Sequence, residues 1–132
     1  MASIFSKIIA GEIPCYKIAE NEKCFAFLDI SPLTEGHTLV VPKTEVDYLF
    51  DLEDDLLAEM TLFAKEVAVG IKEATDCKRV GLLVMGFDVP HTHIHLVPMN
   101  ETADMLLNKQ KQKFEKEEFE AIAAKIREKL VR

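Results

Sequence analysis

The sequence predicts an α+β domain built on an antiparallel sheet of about five strands, with a short N-terminal helix, a long central helix and a C-terminal helix. Three observations carry this. Short β-branched and aromatic runs recur between Gly, Pro and Asn punctuation, and one long segment repeats its apolar residues at helical spacing. The last two extended runs are joined by Gly86-Phe87-Asp88-Val89-Pro90, too short for the crossover that parallel strands require.

Taken in order, Ser3 is placed to cap a helix reaching about Ala10, with Ile4, Phe5, Ile8 and Ile9 as its apolar face and Gly11 at its stop. Ile13-Pro14 then turns the chain to extended structure. Residues 16–19 and 23–28 read as a hairpin around Glu20-Asn21-Glu22, the second strand apolar enough to be central. Gly36 re-enters the sheet ahead of a strand over 37–42, closed by Pro42, so His37 stands at a strand start. Over 53–75, Leu56, Leu57, Met60, Phe63, Ala64, Val67 and Ile71 form one stripe, predicting the helix that covers a sheet face. Strands follow over 80–85 and 93–98. Over 114–131, Phe119, Ile122, Ala123, Ile126 and Leu130 define a last amphipathic helix, whose mixed polar face suits packing on the domain or a dimer mate and not a membrane.

A chain of 132 residues fits a single core. Its net charge of −7, with basic residues scattered among acids, argues against a grip on nucleic-acid backbone. The first residues lack the pattern of a signal peptide, and no apolar stretch is long enough to cross a bilayer. Cys15, Cys24 and Cys77 form no Cys-x-x-Cys pair and read as small apolar packing groups in a reducing compartment. The expectation is a soluble cytoplasmic protein.

The chemistry concentrates in His91-Thr92-His93-Ile94-His95, three of the four histidines at spacing two. On a strand, alternation puts all three on one face. A lone histidine is usually a satisfied structural residue, but three so spaced point to a site. Two uses compete: a shared metal ion, or covalent catalysis by an imidazole nucleophile. The chain offers no Cys-x-x-Cys or His-Glu-x-x-His pattern to complete a metal site, which favours the nucleophile. In that reading one imidazole attacks phosphorus while a second, on the same face, donates to phosphate or leaving group. Asp29, a carboxylate ending an apolar strand, needs a capping or ligand role to offset its desolvation.

The segment His91-Thr92-His93-Ile94-His95-Leu96-Val97 resembles the signature His-φ-His-φ-His-φ-φ of the histidine-triad (HIT) superfamily, Hint-like branch, as in small bacterial HIT proteins, with Thr92 polar where an apolar residue is usual. Further blocks resemble it in order: Ile4-Phe5-x-Lys7-Ile8-Ile9-x-Gly11-Glu12-Ile13-Pro14, then Phe25-Ala26-Phe27-Leu28-Asp29-Ile30-x-Pro32, then Gly36-His37-x-Leu39-Val40-x-Pro42-Lys43. The resemblance spans about residues 3–100, giving a HIT domain over 1–105 and a C-terminal amphipathic helical extension over 106–132. It implies a HIT-like fold and a homodimer formed through the long helix and the strand over 80–85. The implied activity is hydrolysis or transfer at the α-phosphate of nucleoside phosphoramidates, acyl-nucleotides or dinucleotides.

By the same resemblance His93 becomes transiently linked to the nucleotide, His95 and His37 contact phosphate, and His91 supports the nucleophile. Asp29 holds the ribose, Phe5, Ile8, Phe27 and Ile30 form the slot for an AMP-like purine base, and no cofactor is implied. Many bacterial members carry structural zinc on Cys-x-x-Cys in the first helix, a histidine after the Pro-Lys block and the first triad histidine. Here those places read Ser3, Ser6, Glu45 and His91, so no metal is expected. The family's Asn and Gly-Gln-Ser/Thr phosphate donors before the triad are also missing from residues 84–90, which implies a slow enzyme or one that favours an unusual leaving group. A non-catalytic nucleotide-binding module is the alternative, with a metal site on the triad face behind it.

Overall fold

A computed structural model describes residues 2–107 and 110–130. Among them the order is α1 (Ile4–Ile9), β1 (Lys17–Glu20), β2 (Cys24–Leu28), β3 (Thr38–Pro42), α2 (Asp54–Thr75), β4 (Arg79–Leu83), β5 (Ile94–Met99) and α3 (Lys116–Glu128), with short 3₁₀ turns at Leu49–Asp51 and Thr102–Met105. The strands form one sheet in the order β1-β2-β3-β5-β4, antiparallel throughout.

The predicted order of elements and the α+β class stand. Ser3 caps α1, its hydroxyl accepting from the Ser6 main-chain N–H, and Gly11 takes the positive φ (82°) that ends the turn. β2 is interior, as its apolar composition requires, although β3 holds the middle place. Two boundaries move. β4 ends at Leu83, its partner in register being His95, so Val84 and Met85 fall in the loop and not in the strand expected over 80–85. β5 begins at Ile94, one residue later than expected.

Alternation divides the core into two layers. Cys24, Ala26, Leu28, Val40, Ile94 and Leu96 face α2 and α3, packing with Met60, Phe63, Val67, Ile71, Phe119, Ala123 and Ile126 in one buried cluster. Thus the α3 stripe packs on this same chain; Val131, at the end of the predicted helix, lies outside the described residues. The odd-numbered neighbours Phe25, Phe27, Leu39 and Val41 face the other way and pack beneath Phe5 and Ile8 of α1. One short helix cannot cover that whole face, and the sheet beside it stays open. No described helix is long and apolar enough to cross a membrane.

Candidate active site

The open part of the α1 face is where the histidines meet. Only His95 lies within β5; His91 and His93 precede it, so the expectation of three histidines on one strand is corrected. The reason is local. Pro90 carries no N–H for a ladder, the His91 N–H closes a tight turn onto the Val89 carbonyl (2.8 Å), and the Thr92 N–H bonds to the Val46 carbonyl (2.7 Å). Alternation still holds from His93 onward: the His93 and His95 rings are neighbours, 4.9 Å between centroids, while Ile94 enters the opposite core layer.

Each imidazole has a partner that dictates where its proton sits. His93 Nδ1 lies 2.9 Å from the His91 carbonyl, which only accepts, so Nδ1 carries the proton and Nε2 keeps a lone pair. His91 Nε2 lies 2.8 Å from the Pro42 carbonyl and must donate, leaving Nδ1 to accept from the Ser3 hydroxyl at 2.7 Å. His91 is fully buried.

His37 and His95 form a second chain. The Leu33 main-chain N–H donates to His37 Nδ1 (2.9 Å), so His37 carries its proton on Nε2 and donates it to His95 Nδ1 at 3.0 Å. His95 therefore holds its own proton on Nε2, and among the described residues that buried atom has no partner. Gly36, just before His37, adopts φ 98°, and a Cβ there would stand 2.9 Å from the Thr75 methyl. Cross-strand pairing of Leu39 with His95 then sets His37, two residues earlier on the same face, beside the His95 ring.

Asp29 closes the group. Its Oδ1 accepts from the Ser31 N–H in a local turn and its Oδ2 lies 3.5 Å from His37 Nε2. That second contact is an electrostatic approach and not an ion pair, because the Nε2 proton is committed to His95 and burial holds His37 below its ordinary pKa and neutral, against the opposing pull of Asp29. Burial likewise lowers His91, against the Pro42 bond and Glu45. His95 is pushed down to about 4 by burial first, then by His37 and His93. These three imidazoles are neutral at physiological pH.

A cavity of about 290 Å³ opens over this group. His93 and His95 line it together with Asp29, Phe5, Ile8, Phe27 and Ile30, the last 71% exposed at its rim. His37 and His91 stand behind this lining. Cys15 and Asp88 also line it. Sequence reasoning read Cys15 only as packing, and it does pack against the cluster beneath α1 while also facing the cavity, a placement no local pattern signals. Burial raises the Cys15 thiol pKa, so it is protonated and apolar in character there.

An imidazole whose Nδ1 is tied to a carbonyl and whose Nε2 faces the cavity, beside a donor imidazole at the end of an apolar pocket, is an arrangement for attack on an electrophile that develops negative charge. A family model for the HIT domain matches residues 10–102. The chain belongs to the HIT family. Over 100 residues it is 38% identical to the adenosine 5'-monophosphoramidase hnt1 of Schizosaccharomyces pombe, covering 74% of each chain. Over 102 residues it is 38% identical to protein hit of Bacillus subtilis, covering 72% of this chain and 69% of that one. Its fold matches a Hit-like protein of Bartonella henselae with a TM-score of 0.84 at 30% identity, covering 97% of this chain and 96% of that one.

A Zn-bound histidine triad family protein from Mycobacterium smegmatis also matches, with a TM-score of 0.82 at 27% identity over 98% of this chain and 93% of that one. The four zinc-associated places of this HIT chain do not fit that metal. Ser3 and Ser6 offer hydroxyls that keep their protons at neutral pH, in place of thiolates, and the His91 nitrogen facing them already accepts from Ser3. One other set, Asp29, His37 and His95, brings three ligand atoms within 4.8 Å of one another. Its closeness is accounted for by the His37–His95 hydrogen bond and by the local turn that fixes Asp29 beside it.

Proposed function

We propose that this HIT protein is a nucleoside phosphoramidase or related nucleotidyl hydrolase or transferase, working through a covalent nucleotidyl-histidine on His93. The observation that carries the reading is the opposed proton placement on two adjacent imidazoles, His93 with a free Nε2 lone pair and His95 with an unpartnered Nε2–H. The relatives named adenosine 5'-monophosphoramidase support the substrate class.

In this mechanism the cavity takes an AMP-like nucleotide, its base against Phe5, Ile8, Phe27 and Ile30 and its ribose hydroxyls on Asp29. The His93 Nε2 lone pair forms a bond to the α-phosphorus, and the bond from phosphorus to the amine, acyl or phosphate leaving group breaks, its electron pair departing with that group. His95 donates its Nε2 hydrogen bond to the phosphoryl oxygens or leaving group. His91 stabilises the positive charge on the His93 ring through its carbonyl, and His37 holds the His95 tautomer from behind. The departing group takes its proton from solvent; water then attacks phosphorus and gives up one proton to solvent, the bond to His93 breaks with its electron pair returning to Nε2, and nucleoside monophosphate leaves.

Asp88 at the cavity wall repels a phosphate, and with the neutral donors missing from residues 84–90 this makes slow turnover part of the proposal. The same observation favours a second reading, a non-catalytic nucleotide-binding module. We further propose a homodimer in a reducing, cytoplasmic setting. Supporting it, β4 is an edge strand with Leu82 55% exposed, and Leu62 and Val69 of α2 are exposed as well.

Mass spectrometry of intact protein, quenched soon after mixing with adenosine 5'-phosphoramidate, tests the reading. Wild type gains one adenylyl group transiently; His93→Ala, with its fold intact, gains none and loses at least about 10³-fold in turnover. AMP binding with neither adduct nor turnover in wild type replaces the enzyme with the binding module.

A further inference from the structure

Ser3, Ser6, Glu45 and His91 come from three separate segments yet form one closed set of hydrogen bonds. Glu45 Oε1 accepts from the Ser3 main-chain N–H at 2.8 Å and from the Ser6 hydroxyl at 2.6 Å. The Ser3 oxygen accepts from the Ser6 N–H at 3.0 Å and points its own proton at His91 Nδ1, 2.7 Å away. His91 passes the order on through Nε2–H to Pro42. The carboxylate and the carbonyl at the two ends only accept, which sets the direction of the short bonds; the Ser6 hydroxyl also lies 3.4 Å from the Ser3 hydroxyl and 3.4 Å from His91 Nδ1, longer contacts than the 2.7 Å bond from Ser3.

We infer that this cluster is a metal-free clasp that positions His93, holding α1, the segment after β3 and the segment before β5 by hydrogen bonds at the places that the family resemblance associates with zinc. Two routes lead from it to the reacting ring. The His91 carbonyl that receives the His93 Nδ1 proton belongs to the residue the clasp fixes. Phe5, on the helix Ser3 caps, meets His91 and His93 edge-on, with centroids at 5.8 and 4.8 Å. Ser3, Ser6 and Glu45 are positioning residues, and their role rests on the reading of His93 as nucleophile.

The distinguishing feature is the proton on Ser3, and it separates positioning from helix capping. Ser3→Thr keeps both the cap and the proton. Ser3→Asp keeps an excellent cap but at neutral pH has no proton to give, so His91 Nδ1 acquires one from solvent. Nitrogen NMR of the imidazoles, single-turnover adduct formation and AMP affinity are measured on full-length wild type and both variants. Wild type and Ser3→Thr are expected to show an unprotonated His91 Nδ1 and adduct rates within about 3-fold of each other. Ser3→Asp is expected to show both His91 nitrogens protonated and adduct formation slowed about 10-fold or more, with helix content kept and AMP affinity within about 3-fold.

A Ser3→Asp protein with either the wild-type imidazole pattern or the wild-type adduct rate overturns the clasp. So does stoichiometric zinc in wild type purified without a histidine tag. If wild type itself forms no adduct, the nucleophile reading fails separately, and the imidazole pattern alone then decides whether Ser3 sets the protonation of His91.

Discussion

The two ends of the histidine cluster are built from the same side chain and held by opposite means. At the α1 end, His93 gives its Nδ1 proton to a main-chain carbonyl, and His91 behind it is bonded to a carbonyl and a serine. At the β3 end, a main-chain N–H at Leu33 sets His37, and His37 sets His95. A carbonyl forces an imidazole to present its lone pair on the far side; an N–H, passed through one more imidazole, forces the far side to present a proton. The chain thus makes a nucleophile and a donor from one residue type, with no charged partner directly on either reacting nitrogen.

The comparison breaks most visibly at the donor end. His95→Ala removes the unpartnered Nε2–H but leaves every bond of His93 in place. A preorganised donor to developing phosphoryl charge is worth about 10²–10³-fold in kcat, so turnover is expected to fall by that amount while AMP affinity changes little. Steady-state kinetics with paired calorimetry on AMP measures it. Equal losses in kcat/KM and in AMP affinity would instead make His95 a ground-state contact.

His37→Phe acts one residue further back and is smaller, about 10- to 30-fold in kcat, the scale of an orienting partner. It keeps a ring of similar shape while deleting the Nε2–H that fixes His95. Nitrogen NMR is expected to show His95 mixing its two tautomers and His93 keeping one. If the His93 pattern changes as well, the two ends are one network and the contrast between them fails.

Much of the architecture was legible because it rests on side-chain pattern. The apolar run of β2, the helical stripe of α2 and the short connection before β5 each report burial or geometry residue by residue. The strand ends were less so: β4 stops at Leu83 because of where its partner begins, and Val84 and Met85 look no different from strand residues. In the site, the spacing of His91, His93 and His95 pointed to the cluster and the desolvation of a carboxylate singled out Asp29, while family resemblance added His37, the apolar wall and the role of Asp29. Their proton placements were hidden, since they depend on main-chain groups of Leu33 and Pro42 that any residue would supply. Glu45 was visible only as a departure from a zinc pattern, 46 positions from the His91 it serves as part of the clasp (91 − 45). Its bonds to Ser3 and Ser6 are a tertiary fact.

The last contrast is one of stability against pH. His95 is neutral in the fold, its pKa pushed down to about 4, whereas an unfolded histidine titrates near 6.5. Below about pH 6.5 the unfolded chain binds more protons than the folded one, so stability falls as pH falls, and the loss is complete only below pH 4. His37 and His91, also lowered, act in the same direction. Carboxylates contribute to acid unfolding too, but they are common to wild type and His95→Gln, so the difference between the two isolates the imidazole. Because the His95 side chain is only partly buried, the full shift is discounted for solvent screening: between pH 7 and 4.5 wild type is expected to lose about 1–2 kcal/mol more than His95→Gln in urea unfolding. Parallel loss in the two proteins would mean that His95 does not stay neutral in the fold, and the donor end of the cluster would then carry a positive charge where the present geometry gives it a neutral N–H.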